Sequence, residues 1–138
     1  MKRVLFILFS IAFLSCQKIS TDNFETSIIG TWQLIKGEWY EDGVTRTRDY
    51  LNDEEYKDKL QYWIFQEDGQ MIIEYWGRAS VDTEDGIYRI AGNALYTDIT
   101  ESILTINKLT KNEMVIDITY SYHSTGTLDG RAFFKKKK

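Results

Sequence analysis

The sequence contains very little cysteine, histidine or proline. Its 138 residues include one cysteine, Cys16, one histidine, His123, and no proline. A single cysteine excludes internal disulfides and cysteine-rich metal sites. A single histidine argues against most histidine-based metal or nucleophile chemistry, and the chain has no phosphate loop or dinucleotide fingerprint. We therefore predict no metal site, no cofactor and no enzymatic activity, and we expect turns to be made by glycine, asparagine and aspartate.

Excess positive charge is also missing. The formal charge is −4, and four of the 17 basic residues form the terminal run Lys135–Lys138. The rest of the chain is therefore more acidic still, which argues against nucleic-acid binding. The lysine run is explained equally well by contact with anionic headgroups and by a frayed soluble tail.

Long hydrophobic runs are absent. The only extended apolar stretch, Val4–Leu14, follows Lys2 and Arg3. It is shorter than the roughly 20 residues that a membrane-spanning helix needs, and it has the form of a signal-peptide core. The segment Phe13-Leu14-Ser15-Cys16 that follows resembles a bacterial lipobox.

The lipobox resemblance implies a lipoprotein. Residues 1–15 would be removed as a signal peptide, and Cys16 would become the first residue and carry acyl chains such as palmitate. Several chains together give stable membrane anchoring. Gln17 after the cysteine favours the outer membrane of the cell envelope, and either face of that membrane remains open. The alternative is an ordinary secretory signal with an incidental cysteine.

A polar tether, residues 16–27, precedes a β-rich domain, residues 28–138. In the domain, apolar and polar residues alternate over short runs that are separated by turn residues, as in antiparallel sandwiches and barrels. Meander links favour an up-and-down barrel of about eight strands, because closure removes the sheet edges. The predicted strands are Ile28–Tyr40, Gln61–Gln66, Gln70–Trp76, Gly86–Ile90, Ala94–Asp98, Ser102–Leu109, Met114–Tyr122 and Arg131–Lys135, and Val44–Tyr50 is either a further strand or an irregular arm.

One short helix is expected in this all-β domain, at Asn52–Leu60. Asn52 with Glu55 has the spacing of a capping box, and lysines fill the last turn. The apolar face of the segment is thin, so we expect a helix across the end of the barrel, where it is a candidate lid. The polar stretch Gly77–Asp85 is predicted to be a loop.

The order of several short motifs resembles the lipocalin-like domain of small bacterial lipoproteins. These are Gly30-Thr31-Trp32, Trp63-Ile64-Phe65 before Glu67-Asp68-Gly69, the stretch from Gly86 to Leu95, and Phe133-Phe134-Lys135. The resemblance implies that Trp32 packs across the closed end of the barrel, against a basic residue of the last strand. By its position, Arg131 is the candidate for that residue.

The inward faces of the predicted strands carry a mixed aromatic set. Tyrosine hydroxyls among apolar walls would suit a ligand pocket, but an eight-stranded barrel is only just wide enough for side chains or one small ligand. A pocket and a filled core therefore both remain open. The candidate ligand-binding residues are Trp63, Phe65, Tyr75, Tyr88, Ile116, Tyr120 and Tyr122.

Two function classes follow. The first is an outer-membrane-anchored barrel that binds a small, partly hydrophobic ligand. The second is an envelope interaction or structural module with a filled barrel, working through outer residues such as Trp39 and Trp76.

Overall fold

The computed structural model describes residues 27–119 and 129–138. They form one antiparallel sheet of nine strands. The strands are β1 (Gly30–Glu41), β2 (Val44–Asp49), β3 (Leu60–Phe65), β4 (Gln70–Trp76), β5 (Val81–Ala91), β6 (Ala94–Thr97), β7 (Ile103–Leu109), β8 (Glu113–Thr119) and β9 (Gly130–Lys136).

Eight of these strands close into a barrel. β3 to β9 pair in sequence order, and the long β1 joins β3 to β9. The first part of β1 pairs with β3 through Gly30–Gln33, and its later part, Lys36–Glu41, pairs with β2. β2 thus pairs with the same edge of β1 as β3 does, further along that strand. The predicted all-β up-and-down barrel is confirmed.

One end of the barrel is closed by packed side chains. Trp32, Phe65, Met71, Met114 and Phe134 are almost fully buried there. Trp32 donates a hydrogen bond from Nε1 to the carbonyl of Ile28 at 2.6 Å. The buried side chains of the described residues form one hydrophobic cluster, which includes residues from Ile28 to Phe134. The barrel therefore contains its own hydrophobic core.

The first and last described residues meet at the closed end. The Nζ of Lys136 lies 3.5 Å from the carbonyl of Ser27, and the N–H of Lys137 donates to the carbonyl of Thr31. The links β1–β2, β4–β5 and β6–β7 lie at the opposite, open end, as do the end of β8 and the start of β9.

The structure differs from the sequence prediction in two elements. The predicted short helix at Asn52–Leu60 was wrong: residues 52–58 form turns, including an α-turn from the Lys57 N–H to the Asp53 carbonyl, and Leu60 begins β3. The segment is capped by Asp49, whose carboxylate accepts hydrogen bonds from Leu51 and Asn52.

The predicted loop Gly77–Asp85 is largely strand. β5 starts at Val81, and the stretch Asp82–Asp85 pairs with β4. These residues are exposed on both faces, because this half of β5 borders the open end and has no core to cover.

Within the part of the chain that the structure describes, no helix is long and apolar enough to cross a membrane. The lipobox with Cys16, the tether up to Thr26, and Tyr120, Tyr122 and His123 lie outside the described residues.

Candidate functional site

The open end of the barrel contains a cavity with two lobes. The first lobe, about 280 Å³, lies among β1, β3 and β9. The second, about 270 Å³, lies among β3, β4 and β7. Gln61, Trp63 and Ile118 line both lobes, so the two meet over the start of β3 and the end of β8.

Trp63 is the floor of this cavity. It is 7% exposed, and its ring packs 4.8 Å from that of Phe134, centre to centre. Among the described residues, its Nε1 is the one buried side-chain nitrogen or oxygen without a hydrogen-bond partner. Since buried donors are nearly always paired, such an atom marks a place where an acceptor is missing.

The second lobe combines apolar walls with a hydroxyl group. Ile73, Ile99 and Leu104 line it, together with Tyr75 and Glu84. The Tyr75 hydroxyl donates to Oε2 of Glu84 at 3.3 Å. Burial raises the pKa of Tyr75, and the negative charge of Glu84 adds to the rise, so the hydroxyl stays protonated and remains a donor at neutral pH.

Two pairs of opposite charges border the first lobe. Arg131 binds Asp117 through two hydrogen bonds, Nε to Oδ1 at 2.5 Å and Nη2 to Oδ2 at 3.2 Å. The hydrogen bond from Arg131 holds the pKa of Asp117 below its usual value. Lys36 and Glu38 form a second pair at 2.6 Å. The first lobe is therefore bordered by neutralised pairs.

A groove of about 530 Å³ continues from both lobes along the rim; we call it the rim groove. It shares Tyr50 and Gln61 with the first lobe, and Gln61 and Tyr75 with the second. Its remaining lining residues come from β2, the β2–β3 connection, the start of β3, and the β4–β5 turn with the strand residues beside it: Arg48, Tyr56, Lys59, Leu60, Trp76, Gly77, Ser80 and Asp82.

The structure separates the predicted site residues. Phe65 and Ile116 are buried in the filled half of the barrel. The Tyr88 hydroxyl donates to the carbonyl of Gln66 at 2.8 Å and so holds the β3–β4 turn. Trp63 and Tyr75 line the cavity.

Trp32 closes the barrel, but its cationic partner differs from the predicted one. The Nζ of Lys136, not Arg131, lies 5.0 Å from the centre of the Trp32 ring. Arg131 points to the neighbouring strand instead, where Asp117 is its register partner. The choice of Arg131 was therefore wrong. Its position on β9 is near the open end, five residues away from Lys136.

Sequence reasoning missed the polar members of the cavity. Gln61 shares the inward face of β3 with Trp63 and Phe65, and a polar residue on an otherwise apolar face was the available signal. Thr100 and Ser102 line the second lobe from the link between β6 and β7, and no periodic pattern marks such residues.

The structure does not bring together the residues of the other candidate sites. Trp39 lines the first lobe and Trp76 the rim groove, so they do not form one outer patch. In the described residues, no group of three or more histidine, cysteine, aspartate or glutamate side chains is placed to hold a metal ion.

Comparison with known proteins shows the fold. No family model and no curated protein matches the sequence. Among solved structures, a lipocalin-like protein from Bacteroides uniformis is 15% identical with a TM-score of 0.51, covering 80% of this chain and 99% of its own. A protein from Bacteroides eggerthii is also 15% identical with a TM-score of 0.51, covering 79% and 98%. The chain thus has a lipocalin-like barrel fold.

Proposed function

We propose that this protein binds a small, partly hydrophobic ligand in the open end of its barrel, while lipid on Cys16 anchors it to the outer membrane. The observation that carries the binding proposal is the two-lobed cavity with the unpaired Nε1 of Trp63 at its floor. Apolar walls with a few polar groups are the usual form of a small-molecule site. The lipocalin-like fold supports this class of function.

Ligand binding is tested with the protein that starts at Gln17. The purified protein is extracted with organic solvent, and co-purifying molecules are identified and counted by mass spectrometry. We expect about one small, partly hydrophobic molecule per chain, or a stabilising hit in a thermal-shift panel of lipids and small hydrophobes. An empty protein that no member of the panel stabilises would refute the proposal.

Matched variants locate the bound molecule. Ile118→Trp fills the junction of the two lobes, whereas Ile103→Trp adds the same bulk to the exposed face of the adjacent strand β7. We expect the first variant to lose the ligand and the second to keep it. Retention by Ile118→Trp would place the ligand elsewhere.

The anchor is tested by metabolic labelling of the full chain with a palmitate analogue. We expect labelling and membrane association of the natural sequence, and loss of both in Cys16→Ser. Moving the thiol in Cys16→Ser/Ser27→Cys should not restore the label, because a lipobox directs acylation only to the cysteine within it. Unlabelled natural protein would contradict the lipoprotein proposal.

A second candidate function is favoured by one observation. Ile87, Tyr96 and Ile103 are 64%, 48% and 54% exposed on the consecutive strands β5, β6 and β7. Exposed apolar side chains on neighbouring strands are a common feature of protein interaction surfaces. In this alternative the protein is a non-catalytic envelope module, and Ile103→Trp would impair its function while Ile118→Trp would not.

A further inference from the structure

The rim groove contains a cation that lies among three aromatic rings. The guanidinium carbon of Arg48 is 4.1 Å from the ring centre of Tyr56, 5.2 Å from that of Trp39 and 6.0 Å from that of Tyr50. The Nζ of Lys59 lies 5.0 Å from the same Tyr56 ring. The aromatic rings hold both cations at the entrance to the cavity.

Arg48 and Lys59 differ from the neighbouring cations in having no carboxylate partner among the described residues. Arg46, on the same face of β2, pairs with Glu41 at 2.6 Å. Arg78 pairs with Asp58 at 3.1 Å, and Lys57 pairs with Glu54. A contact with an aromatic ring does not pair a cation with a carboxylate. These two cations therefore retain donors for an external anion.

Acidic groups near the groove do not cancel this charge. Asp82 is the one carboxylate among the lining residues that the structure describes. Glu55 lies outside the groove lining, and its carboxylate beside the Tyr56 hydroxyl raises the pKa of Tyr56. The groove thus carries two unpaired cations against one carboxylate, on a chain whose formal charge is −4.

We propose that the ligand is an anionic amphiphile. Its apolar part lies in the cavity above Trp63, and its carboxylate or phosphate group accepts hydrogen bonds from Arg48 and Lys59 at the rim. Gln61 lines the groove and both lobes, so the site for the headgroup adjoins the site for the apolar part. This inference rests on the proposed function, since it names the chemistry of a ligand for the same cavity.

The test compares headgroups on one chain length. Binding of dodecanoate, dodecyl phosphate and dodecanol to the protein from Gln17 onward is followed by tryptophan fluorescence, below micelle-forming concentrations and after cooperative unfolding has verified the fold. We expect both anions to bind at least tenfold more tightly than dodecanol. Acetate and inorganic phosphate, which lack the chain, should bind at least a hundredfold more weakly than the amphiphiles.

The decisive variant is Arg48→Gln/Lys59→Gln. It should abolish the preference for anions, so that dodecanoate and dodecyl phosphate bind no more tightly than dodecanol does to the same variant. The matched control is Arg46→Gln/Lys57→Gln, which removes the same charge from the same two segments but takes cations that already have carboxylate partners. The control should keep the preference.

Salt provides a measurement that needs no variant. Raising the ionic strength should weaken the binding of the anions relative to dodecanol, because screening acts on exposed charges.

Equal affinity for dodecanol and dodecanoate, a preference that survives Arg48→Gln/Lys59→Gln, or free phosphate binding as tightly as dodecyl phosphate would each overturn the anionic-amphiphile proposal. Failure of every probe, dodecanol included, would instead count against the proposed binding function.

Discussion

Two buried tryptophans differ in one hydrogen bond. Nε1 of Trp32 has the carbonyl of Ile28 at 2.6 Å, whereas Nε1 of Trp63 has no partner. Replacing either tryptophan by phenylalanine removes a similar volume. The difference in stability loss between the two variants therefore comes from the hydrogen bond. A buried donor without a partner already bears a desolvation cost of about 1–3 kcal/mol.

We therefore expect Trp32→Phe to lower the free energy of unfolding by about 1–3 kcal/mol more than Trp63→Phe does. Urea unfolding of the ligand-free protein measures both values. Trp63→Phe should in addition weaken ligand binding, because the ligand loses its donor. Equal losses of stability would show that the Trp63 nitrogen is satisfied.

The Arg131–Asp117 pair makes the stability of the protein depend on pH in the acid range. The folded-state pKa of Asp117 is lowered, so its stabilising contribution is present above the ordinary carboxyl pKa and is lost as the pH falls through the lowered value. Asp117→Asn should cost about 1–2 kcal/mol of unfolding free energy near pH 7, and less near pH 3. Urea unfolding at the two pH values measures the difference, and a cost that does not change with pH would contradict this assignment.

At the scale of elements, β5 depends on close packing at Gly86. The Asp98 carboxylate accepts a hydrogen bond from the Ile87 N–H at 2.8 Å, and a Cβ on Gly86 would overlap that carboxylate and Ile99. This contact lies where β5 leaves its pairing with β4 and begins its pairing with β6.

We expect Gly86→Ala to reduce the unfolding free energy by about 1–3 kcal/mol through overpacking. The loss should be smaller in an Asp98→Ala background, where the clashing carboxylate is absent. Thermal or urea unfolding of the four proteins completes the cycle. Additive effects would mean that Asp98 does not limit the space at Gly86.

The turns that replace the predicted helix depend on Asp49. Its carboxylate holds the first residues of the β2–β3 connection, and that connection carries Tyr56 and Lys59 of the rim groove. Asp49→Ala should speed amide exchange at Leu51 and Asn52 and weaken anion binding, with little change in melting temperature. The matched control Asp68→Ala removes a similar turn contact, to the Gln70 N–H at the closed end, and should leave the groove unaffected.

The sequence could predict strands that border the core, but not those that border the open end. β4 and β7 to β9 alternate strongly because one face is buried, and their bounds agree with the prediction within a few residues wherever they fall on described residues. The first half of β5 has no buried face, so its Asp82–Asp85 stretch had the composition of a loop. For Asn52–Leu60, a local capping pattern was outweighed because the segment has little apolar surface to pack and Asp49 binds its first amides.

The candidate site was less predictable for a physical reason. Aromatic composition indicated Trp63 and Tyr75, but whether a barrel is filled depends on how side chains from opposite strands meet. The missing partner of Trp63 and the pairing of Arg131 with Asp117 are properties of register, which composition does not contain.

At the scale of the whole molecule, the barrel has a filled half and an open half. Met71, Met114 and Phe134 are buried at the closed end, whereas Tyr75 and Ile118 border the cavity. We expect native-state amide exchange to be slowest in the closed half, since opening there exposes the most apolar surface. A bound amphiphile should slow exchange at the ends of β3 and β8 that line the cavity and leave the closed half unchanged. Uniform protection in both halves would contradict this division.

The seam between β1 and β9 has a mechanical consequence. The two strands run antiparallel from Trp32↔Lys136 at the closed end to Trp39↔Gly130 at the open end, and the chain enters and leaves beside the first of these pairs. A force that pulls residues 27 and 138 apart therefore loads one rung of the ladder at a time and unzips the barrel at low tension. A force applied at residue 27 alone does not pull β1 and β9 apart, so it moves the barrel without opening this seam.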